Sequence, residues 1–159
     1  MTLKPLELIH IDLFGPTKTK RLSGNCFIFV LVNDFSRFTW VFFLEHKDDA
    51  FSCFNVFRKK VEKDKDFLIL RIRSDRGGEF INHSFITYCE ENGIKCELSY
   101  LRTPQQNGII ERKNRTLQEI VRTMISEYGL TQYLWAEAVN TSYYISNRIF
   151  FSKILLKPF

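Results

Sequence analysis

The sequence predicts a single α/β domain with a mixed β-sheet and helices on both faces of the sheet. Its length of 159 residues suits one domain, and 45% hydrophobic with 26% charged residues is the balance of a chain that buries a core. Hydrophobic periodicity predicts the element order βββαβαβαα. Short connections between the first strands favour antiparallel pairing, whereas the later alternation of strands and helices favours parallel pairing.

The opening third of the chain has the alternating pattern of strands. The predicted strands are 6–13, 26–33 and 38–44, joined by polar turns at 18–25 and 34–37. In the first strand, His10 and Asp12 lie on one face and the apolar residues Ile9, Ile11 and Leu13 lie on the other. Asp12 is therefore expected near a strand end.

The rest of the chain switches between helix and strand periods. The predicted elements are a helix at 48–62, a strand at 67–72, a helix at 84–92, a strand at 94–98, a long helix at about 109–128 and a last helix at about 132–149. The continuous apolar run at 67–72 is typical of a buried strand, and it leads into a glycine turn at 74–78. The turn-rich segment TPQQNG at 103–108 is predicted to be a loop before the long helix.

Several classes of protein are disfavoured by composition. The longest apolar stretch, 27–32, is far too short to cross a membrane, so we expect no membrane partner. Residues 1–5 lack the features of a secretory signal, which favours an intracellular location. The four cysteines form no C-x-x-C pair and the three histidines are scattered, so a zinc site is not predicted. A catalytic metal is expected to be held by oxygen ligands.

The basic residues are unevenly distributed. The chain has 23 Lys and Arg against 18 acidic residues, a formal charge of +5. The segment from residue 102 to residue 122 contains five basic residues and only two acidic ones, both glutamates. The basic residues are Arg102, Arg112, Lys113, Arg115 and Arg122. This segment is expected to attract a polyanion.

Three carboxylates are candidates for catalysis. Asp12 and Asp75 end apolar strands, and Glu111 lies near the start of the long helix. Each by itself is also typical of a solvated turn or of a residue that complements a helix dipole. In the predicted helix, four polar residues form a stripe on a side that differs from the apolar face. They are Glu111, Arg115, Gln118 and Arg122.

If that helix packs on the sheet, the three acids can converge. Converging carboxylates are most readily tolerated around hard divalent cations, so the expected occupant is Mg²⁺ or Mn²⁺. Two such ions support in-line phosphoryl displacement, which beside a basic surface predicts phosphodiester chemistry on nucleic acid.

The residues around these acids resemble a known family. The three acids, with 35 residues between Asp75 and Glu111, resemble the DDE triad of retroviral-type integrases. The surrounding motifs are IHIDLFGP at 9–16, DFSR at 34–37, RSDRGGEF at 73–80, TPQQNG at 103–108, ERKNR at 111–115, WAEAV at 135–139 and NR at 147–148. Together they resemble the integrase core of copia-type LTR retrotransposons over essentially the whole chain.

This resemblance implies an RNase H-like fold with a five-stranded mixed sheet and a triad of Asp12, Asp75 and Glu111 that chelates two Mg²⁺ ions. It implies 3′-end processing and strand transfer of element cDNA into target DNA, which is expected to occur in the nucleus. It also implies assembly into a dimer or larger multimer. We expect residues 1–159 to form the catalytic core, without the family's N-terminal zinc module and C-terminal DNA-binding tail.

Further residues are candidate DNA contacts. Gln105 and Asn107 are predicted to reach DNA from the loop, although both are also ordinary turn residues. Arg112, Lys113, Arg115 and Arg122 are predicted to bind phosphates, the alternative being a solvated helix face. The last two share the stripe of Glu111 and are the stronger candidates.

Other conspicuous residues are predicted to be structural. Asp34 and Arg37 are expected to order the turn between the second and third strands. Trp40 and Trp135 are expected in the core, and His10 is assigned no catalytic task. Glu79 is expected to brace the glycine turn.

One departure from the family pattern leaves alternatives open. Arg76 stands where the copia-type motif most often has Asn, and it can pair with Asp75 or weaken cation binding. A second hypothesis is therefore a catalytically silent remnant that binds nucleic acid or protein. A third is a ribonuclease H or exonuclease with the same fold, which the motifs disfavour.

Overall fold

The computed structural model describes residues 2–15, 27–74, 83–98, 104–129, 131 and 134–153 of the chain. The strands are β1 (Leu8–Phe14), β2 (Phe27–Asn33), β3 (Thr39–Leu44), β4 (Arg71–Ser74) and β5 (Lys95–Leu98). The helices are α1 (Asp49–Lys65), α2 (His83–Glu91), α3 (Pro104–Glu127) and α4 (Trp135–Lys153). The predicted order βββαβαβαα is confirmed.

The five strands form one sheet in the order β3-β2-β1-β4-β5. β1 pairs antiparallel with β2, His10 opposite Val32, and parallel with β4, His10 opposite Arg73. β2 and β3 are antiparallel, while β4 and β5 are parallel. The predicted mixed sheet is confirmed, and β1 lies at the junction of its two halves.

Successive side chains of the strands point to opposite faces of the sheet, so the core has two layers, one on each face. Ile9 and Ile11 of β1 face α1 and α2, where Phe54 and Phe85 pack edge to face with ring centroids 5.6 Å apart. Val30 of β2 belongs to the layer under α3 and α4. The expected placement of Trp40 and Trp135 is confirmed, because they pack on the first and second layer respectively. Helices therefore cover both faces, and Asp12 lies on the face toward α3.

The fourth strand starts later than its apolar run suggests. Residues 67–70 form no strand, and Leu68 and Leu70 are 67% and 48% exposed, so the prediction of a buried strand at 67–72 was wrong for most of its length. Helix α1 continues to Lys65. The segment that connects α1 to β4 is held by a hydrogen bond from the amide N–H of Ile69 to the carboxylate of Glu62. Pairing begins at Arg71 because that residue lies opposite the first residue of β1.

The long helix starts earlier than predicted. The segment 103–108 was expected to be a loop, but α3 begins at Pro104 and includes Gly108. Proline suits the first position of a helix for two reasons. A backbone N–H at that position makes no hydrogen bond within the helix, so its absence in proline costs nothing, and the fixed φ of proline is close to the helical value. In the described residues no helix has both the length and the apolarity needed to cross a membrane.

A buried carboxylate fastens the turn between β2 and β3. Asp34 is 4% exposed, and its Oδ1 lies 3.1 Å from both His10 Nε2 and Arg37 Nη1. Its Oδ2 accepts the backbone N–H and the hydroxyl of Thr2, each at 3.0 Å. The hydrogen bond with His10, those from Thr2 and the charge of Arg37 hold the pKa of Asp34 well below its usual range despite burial. The expected role of Asp34 and Arg37 in ordering this turn is confirmed.

The Asp34 network predicts a pH-dependent stability difference. Because the folded pKa lies below the unfolded value, the stabilisation is present above about pH 4 and is lost as pH falls further. Asp34→Asn is expected to lower the free energy of unfolding by about 2 kcal/mol at pH 7. Urea denaturation between pH 3 and pH 7 should show this gap narrowing toward pH 3.

The matched control for this prediction is Asp64→Asn, because Asp64 is an exposed carboxylate of α1. Its effect should stay within about 0.5 kcal/mol at every pH. A deficit of Asp34→Asn that does not change with pH would show that the charge of Asp34 is not what stabilises the turn.

Candidate functional site

The carboxylate of Asp12 is held from two sides. Its Oδ1 accepts the backbone N–H of Leu13 at 2.8 Å, and its Oδ2 accepts Nδ2 of Asn114 at 3.0 Å. Asn114 belongs to α3 and is 6% exposed. The bond therefore joins the sheet to the long helix and orients a partly buried carboxylate toward that helix.

Glu111 lies one helical turn before Asn114 on α3 and is exposed. Residues three apart on a helix lie side by side, with roughly 5–6 Å between Cβ atoms. Since Asn114 contacts Asp12, the structure brings Glu111 to the same edge of the sheet as Asp12. Asn114 makes the contact that links this part of α3 to Asp12, and the convergence of Glu111 with Asp12 stays a prediction.

The end of β4 lies beside β1 at this edge. The parallel pairing of His10 with Arg73 places Ser74, the last residue of β4, next to the strand of Asp12. Asp75 follows Ser74 and lies outside the described residues, as do Arg76 and Glu79. The predictions made for those three positions stay predictions.

The stripe predicted on the long helix is exposed at Glu111, Arg115, Gln118 and Arg122. Arg112, which lies off this stripe, is also exposed. Gln118 and Arg122 also line a cleft of about 400 Å³ that includes Asn114, the hydrogen-bond partner of Asp12. The side chains of Gln105 and Asn107 lie outside the described part of the chain, although both residues are within α3.

Lys113 has a different environment from the neighbouring arginines. It is 9% exposed, and its ammonium donates a hydrogen bond to Ser146 Oγ of α4 at 2.7 Å. Burial lowers the pKa of Lys113 to about 8. Lys113 thus packs between α3 and α4, whereas Arg112, Arg115 and Arg122 are exposed.

Two residues near Asp12 are absent from the predicted site. Asn114 follows Glu111 by three positions, a spacing that places both side chains on one side of α3. This spacing was the only sequence signal that could have indicated Asn114 as part of the site. Tyr143 of α4 is 6% exposed, and burial together with the charge of Asp12 raises its pKa. No local pattern marks Tyr143, because its relation to Asp12 depends on how α4 packs.

The donor atoms at this edge suit a hard cation. Asp12 and Glu111 supply carboxylate oxygens, the ligand type of Mg²⁺ and Mn²⁺. In the described ranges no cluster of three or more His, Cys, Asp or Glu is assembled, and the third predicted ligand, Asp75, lies beyond them. The described donors fit a divalent cation in chemistry.

The fold is the RNase H-like fold of integrase catalytic cores. The catalytic core domain of the HTLV-2 integrase, solved in complex with magnesium in a trimeric form, superposes with a TM-score of 0.62 at 19% identity, covering 91% of this chain and 86% of that one. A chain of a simian T-cell lymphotropic virus intasome in complex with PP2A regulatory subunit B56 gamma gives a TM-score of 0.67 at 18% identity, covering 90% and 49%.

Sequence comparison identifies the family. The integrase core domain family matches residues 3–104, so the chain belongs to this family. It is 39% identical over 146 residues to the retrovirus-related Pol polyprotein from transposon TNT 1-94 of Nicotiana tabacum, covering 92% of this chain and 11% of the relative. The Pol polyprotein from transposon RE2 of Arabidopsis thaliana is 30% identical over 92% of this chain and 10% of its own length.

A more distant relative is the Gag-Pol polyprotein of transposon Ty1-DR6 of Saccharomyces cerevisiae, 28% identical over 92% of this chain and 8% of its own length. The chain spans about a tenth of the length of these curated relatives. The predicted resemblance to a retrotransposon integrase core is confirmed.

The buried ammonium of Lys113 predicts a stabilising substitution. Lys113→Met keeps a similar volume and removes a charge that burial disfavours, so the free energy of unfolding at pH 7 is expected to rise by about 1–2 kcal/mol. Urea denaturation measures the change. The control is Arg112→Met, at an exposed position next to it, which should shift stability by no more than about 0.5 kcal/mol. Destabilisation by Lys113→Met would mean that the polar contacts of Lys113 outweigh the cost of burying its charge.

Proposed function

We propose that this chain is the catalytic core of a retrotransposon integrase that processes the 3′ ends of element cDNA and joins them to target DNA. The observation that carries the proposal is the Asn114–Asp12 bond, which joins β1 to the helix that carries Glu111, next to the end of β4. Membership of the integrase core domain family supports the reaction class. The HTLV-2 integrase core solved with magnesium supports a divalent metal.

In the proposed site Asp12, Asp75 and Glu111 bind two Mg²⁺ or Mn²⁺ ions. Such a pair of ions activates an attacking oxygen and stabilises the leaving oxygen of a phosphodiester. Asn114 keeps the carboxylate of Asp12 in one orientation by donating to Oδ2. Glu111, being exposed on α3, is accessible to solvent and to DNA.

The proposed DNA surface is the exposed side of α3. Arg112, Arg115 and Arg122 neutralise phosphates, and Gln118 can hydrogen-bond to a base or a phosphate. Gln105 and Asn107, at the start of the same helix, are proposed to contact DNA near the reacting bond.

The solved relatives also support proposals about assembly. The HTLV-2 core was solved in trimeric and dimeric forms, and the simian virus chain belongs to an intasome. We extend this to a multimer of the present chain that acts on DNA in the nucleus.

The first test is Mn²⁺-dependent cutting and rejoining of a branched DNA. Glu111→Gln is expected to lower the rate at least roughly 100-fold, because one carboxylate ligand of the ions is lost. Its melting temperature should stay close to that of the parent, since Glu111 is exposed. Glu119→Gln, an exposed glutamate two turns further along α3, is the control and should keep full activity.

The outcomes of this test separate the hypotheses. A Glu111→Gln variant as active as the parent would overturn the assignment of the triad. A folded parent without activity would favour the silent remnant, and Arg76→Asn would then show whether Arg76 is responsible. Degradation of RNA in an RNA/DNA hybrid would favour a ribonuclease instead.

The second test measures phosphate contacts through salt. Arg115→Ala and Arg122→Ala are each expected to weaken DNA binding and to reduce the slope of log K against log salt by about 0.9, because one phosphate contact is lost. Fluorescence anisotropy over a salt series gives the slope. Lys59→Ala, an exposed cation on α1 at the opposite face of the sheet, should leave the slope unchanged. Equal effects of all three variants would show that binding follows net charge and not this surface.

A further inference from the structure

Helix α2 and strand β5 are joined by a tight reversal that places two cysteines next to each other. The amide of Gly93 donates to the carbonyl of Glu90 at 3.1 Å, and the amide of Ile94 donates to the carbonyl of Cys89 at 2.8 Å. Gly93 has φ +67, so these bonds form a Schellman motif. Strand β5 then begins at Lys95, and Cys96 packs against the apolar layer that contains Cys89.

The two thiols contact each other and differ in exposure. Cys89 is 1% exposed within the layer under α1 and α2, and Cys96 is partly buried against the same layer. Both cysteines line the same cleft. The neighbouring Cys89 thiol lowers the pKa of Cys96, and the neighbouring Cys96 thiol together with burial raises the pKa of Cys89. Cys96 is therefore the thiol more readily ionised, with a protonated thiol beside it.

A small solute can reach this pair. A cleft of about 340 Å³ is lined by both cysteines and by Ser74, Glu90 and Lys95. Most of its lining is apolar, including Ile72, Phe85 and Ile94, and its size admits a small neutral oxidant such as a peroxide.

Cys53 provides an internal comparison. It is partly buried on α1, as Cys96 is on β5, and both are free thiols. Burial, with a smaller contribution from the charge of Asp49, raises the pKa of Cys53 to about 11. Cys53 therefore resembles Cys96 in exposure, but its raised pKa predicts a less reactive thiol, because the thiolate is the nucleophile of a cysteine.

We propose that Cys89 and Cys96 form a peroxide-sensitive thiol pair that closes to an intramolecular disulfide. The Cys96 thiolate attacks one oxygen of hydrogen peroxide, the O–O bond breaks, and a sulfenic acid and hydroxide form. The sulfur of Cys89 then attacks the sulfenic sulfur, the S–O bond breaks, and the S–S bond forms as a second hydroxide leaves. The two thiol protons convert the two hydroxides to water, so two thiols and one peroxide give one disulfide and two waters.

The disulfide would join the end of α2 to β5, which pairs with β4 through Cys96 and Ile72. β4 ends at Ser74, one residue before Asp75. The modification site thus adjoins the strand that carries a proposed catalytic residue, although the chemistry of the pair does not depend on DNA joining.

The test is peroxide treatment of the reduced 159-residue chain, followed by alkylation of remaining thiols and mass spectrometry. Trypsin cuts after Lys95 and separates the two cysteines unless a disulfide joins their peptides. We expect the linked peptides, the loss of two hydrogen atoms from the intact mass, and oxidation of Cys96 at least about tenfold faster than that of Cys53. Reduction by dithiothreitol should restore the original mass.

Variants make the outcome decisive. Cys96→Ser should abolish the linked peptides, whereas Cys53→Ser should leave their rate unchanged. In Cys89→Ala, with folding checked by circular dichroism, Cys96 should stop at a sulfenic acid that dimedone traps. The proposal is overturned if the folded parent gives no Cys89–Cys96 linkage, if Cys96 reacts no faster than Cys53, or if Cys96 links to Cys26 instead.

Discussion

The pairing register of β1 is the constraint on which the rest of the structure depends. This strand has an antiparallel neighbour on one side and a parallel neighbour on the other, with His10 opposite Val32 and Arg73 respectively. A slip of one residue would turn Ile9 and Ile11 away from α1 and α2 and would direct Asp12 into that apolar layer. Both the core and the edge that carries the acids therefore require the same register.

The acids of this chain show how their surroundings separate structural from reactive carboxylates. Asp34 is buried with four polar partners around its two oxygens, so it has little remaining capacity for a ligand. Asp12 is partly exposed and is oriented by a backbone amide and by Asn114, and Glu111 is exposed. An oriented, partly exposed carboxylate such as that of Asp12 has the donor chemistry that a hard cation prefers.

Elements with a clear hydrophobic period were predictable within a few residues. Strands β1 to β3 and helices α1 and α2 match because alternation and helical spacing are local properties of the chain. The failures occurred where local signals conflicted with tertiary contacts. Residues 67–70 have the composition of a strand, yet β4 forms only where it pairs with β1. The segment TPQQNG has the composition of a turn, yet its proline is the first residue of α3.

The sequence by itself determined the element order, the family and the candidate acids, because motifs and hydrophobic periodicity are local properties of the chain. The tertiary structure decided which side chains meet. Asn114 reaches Asp12 across 102 positions, Lys113 turns inward to Ser146 while Arg112 and Arg115 stay exposed, and the Cys89 thiol contacts Cys96. These contacts depend on the rotation of α3 and the reversal after α2, which are set by packing of the whole core and not by any local pattern.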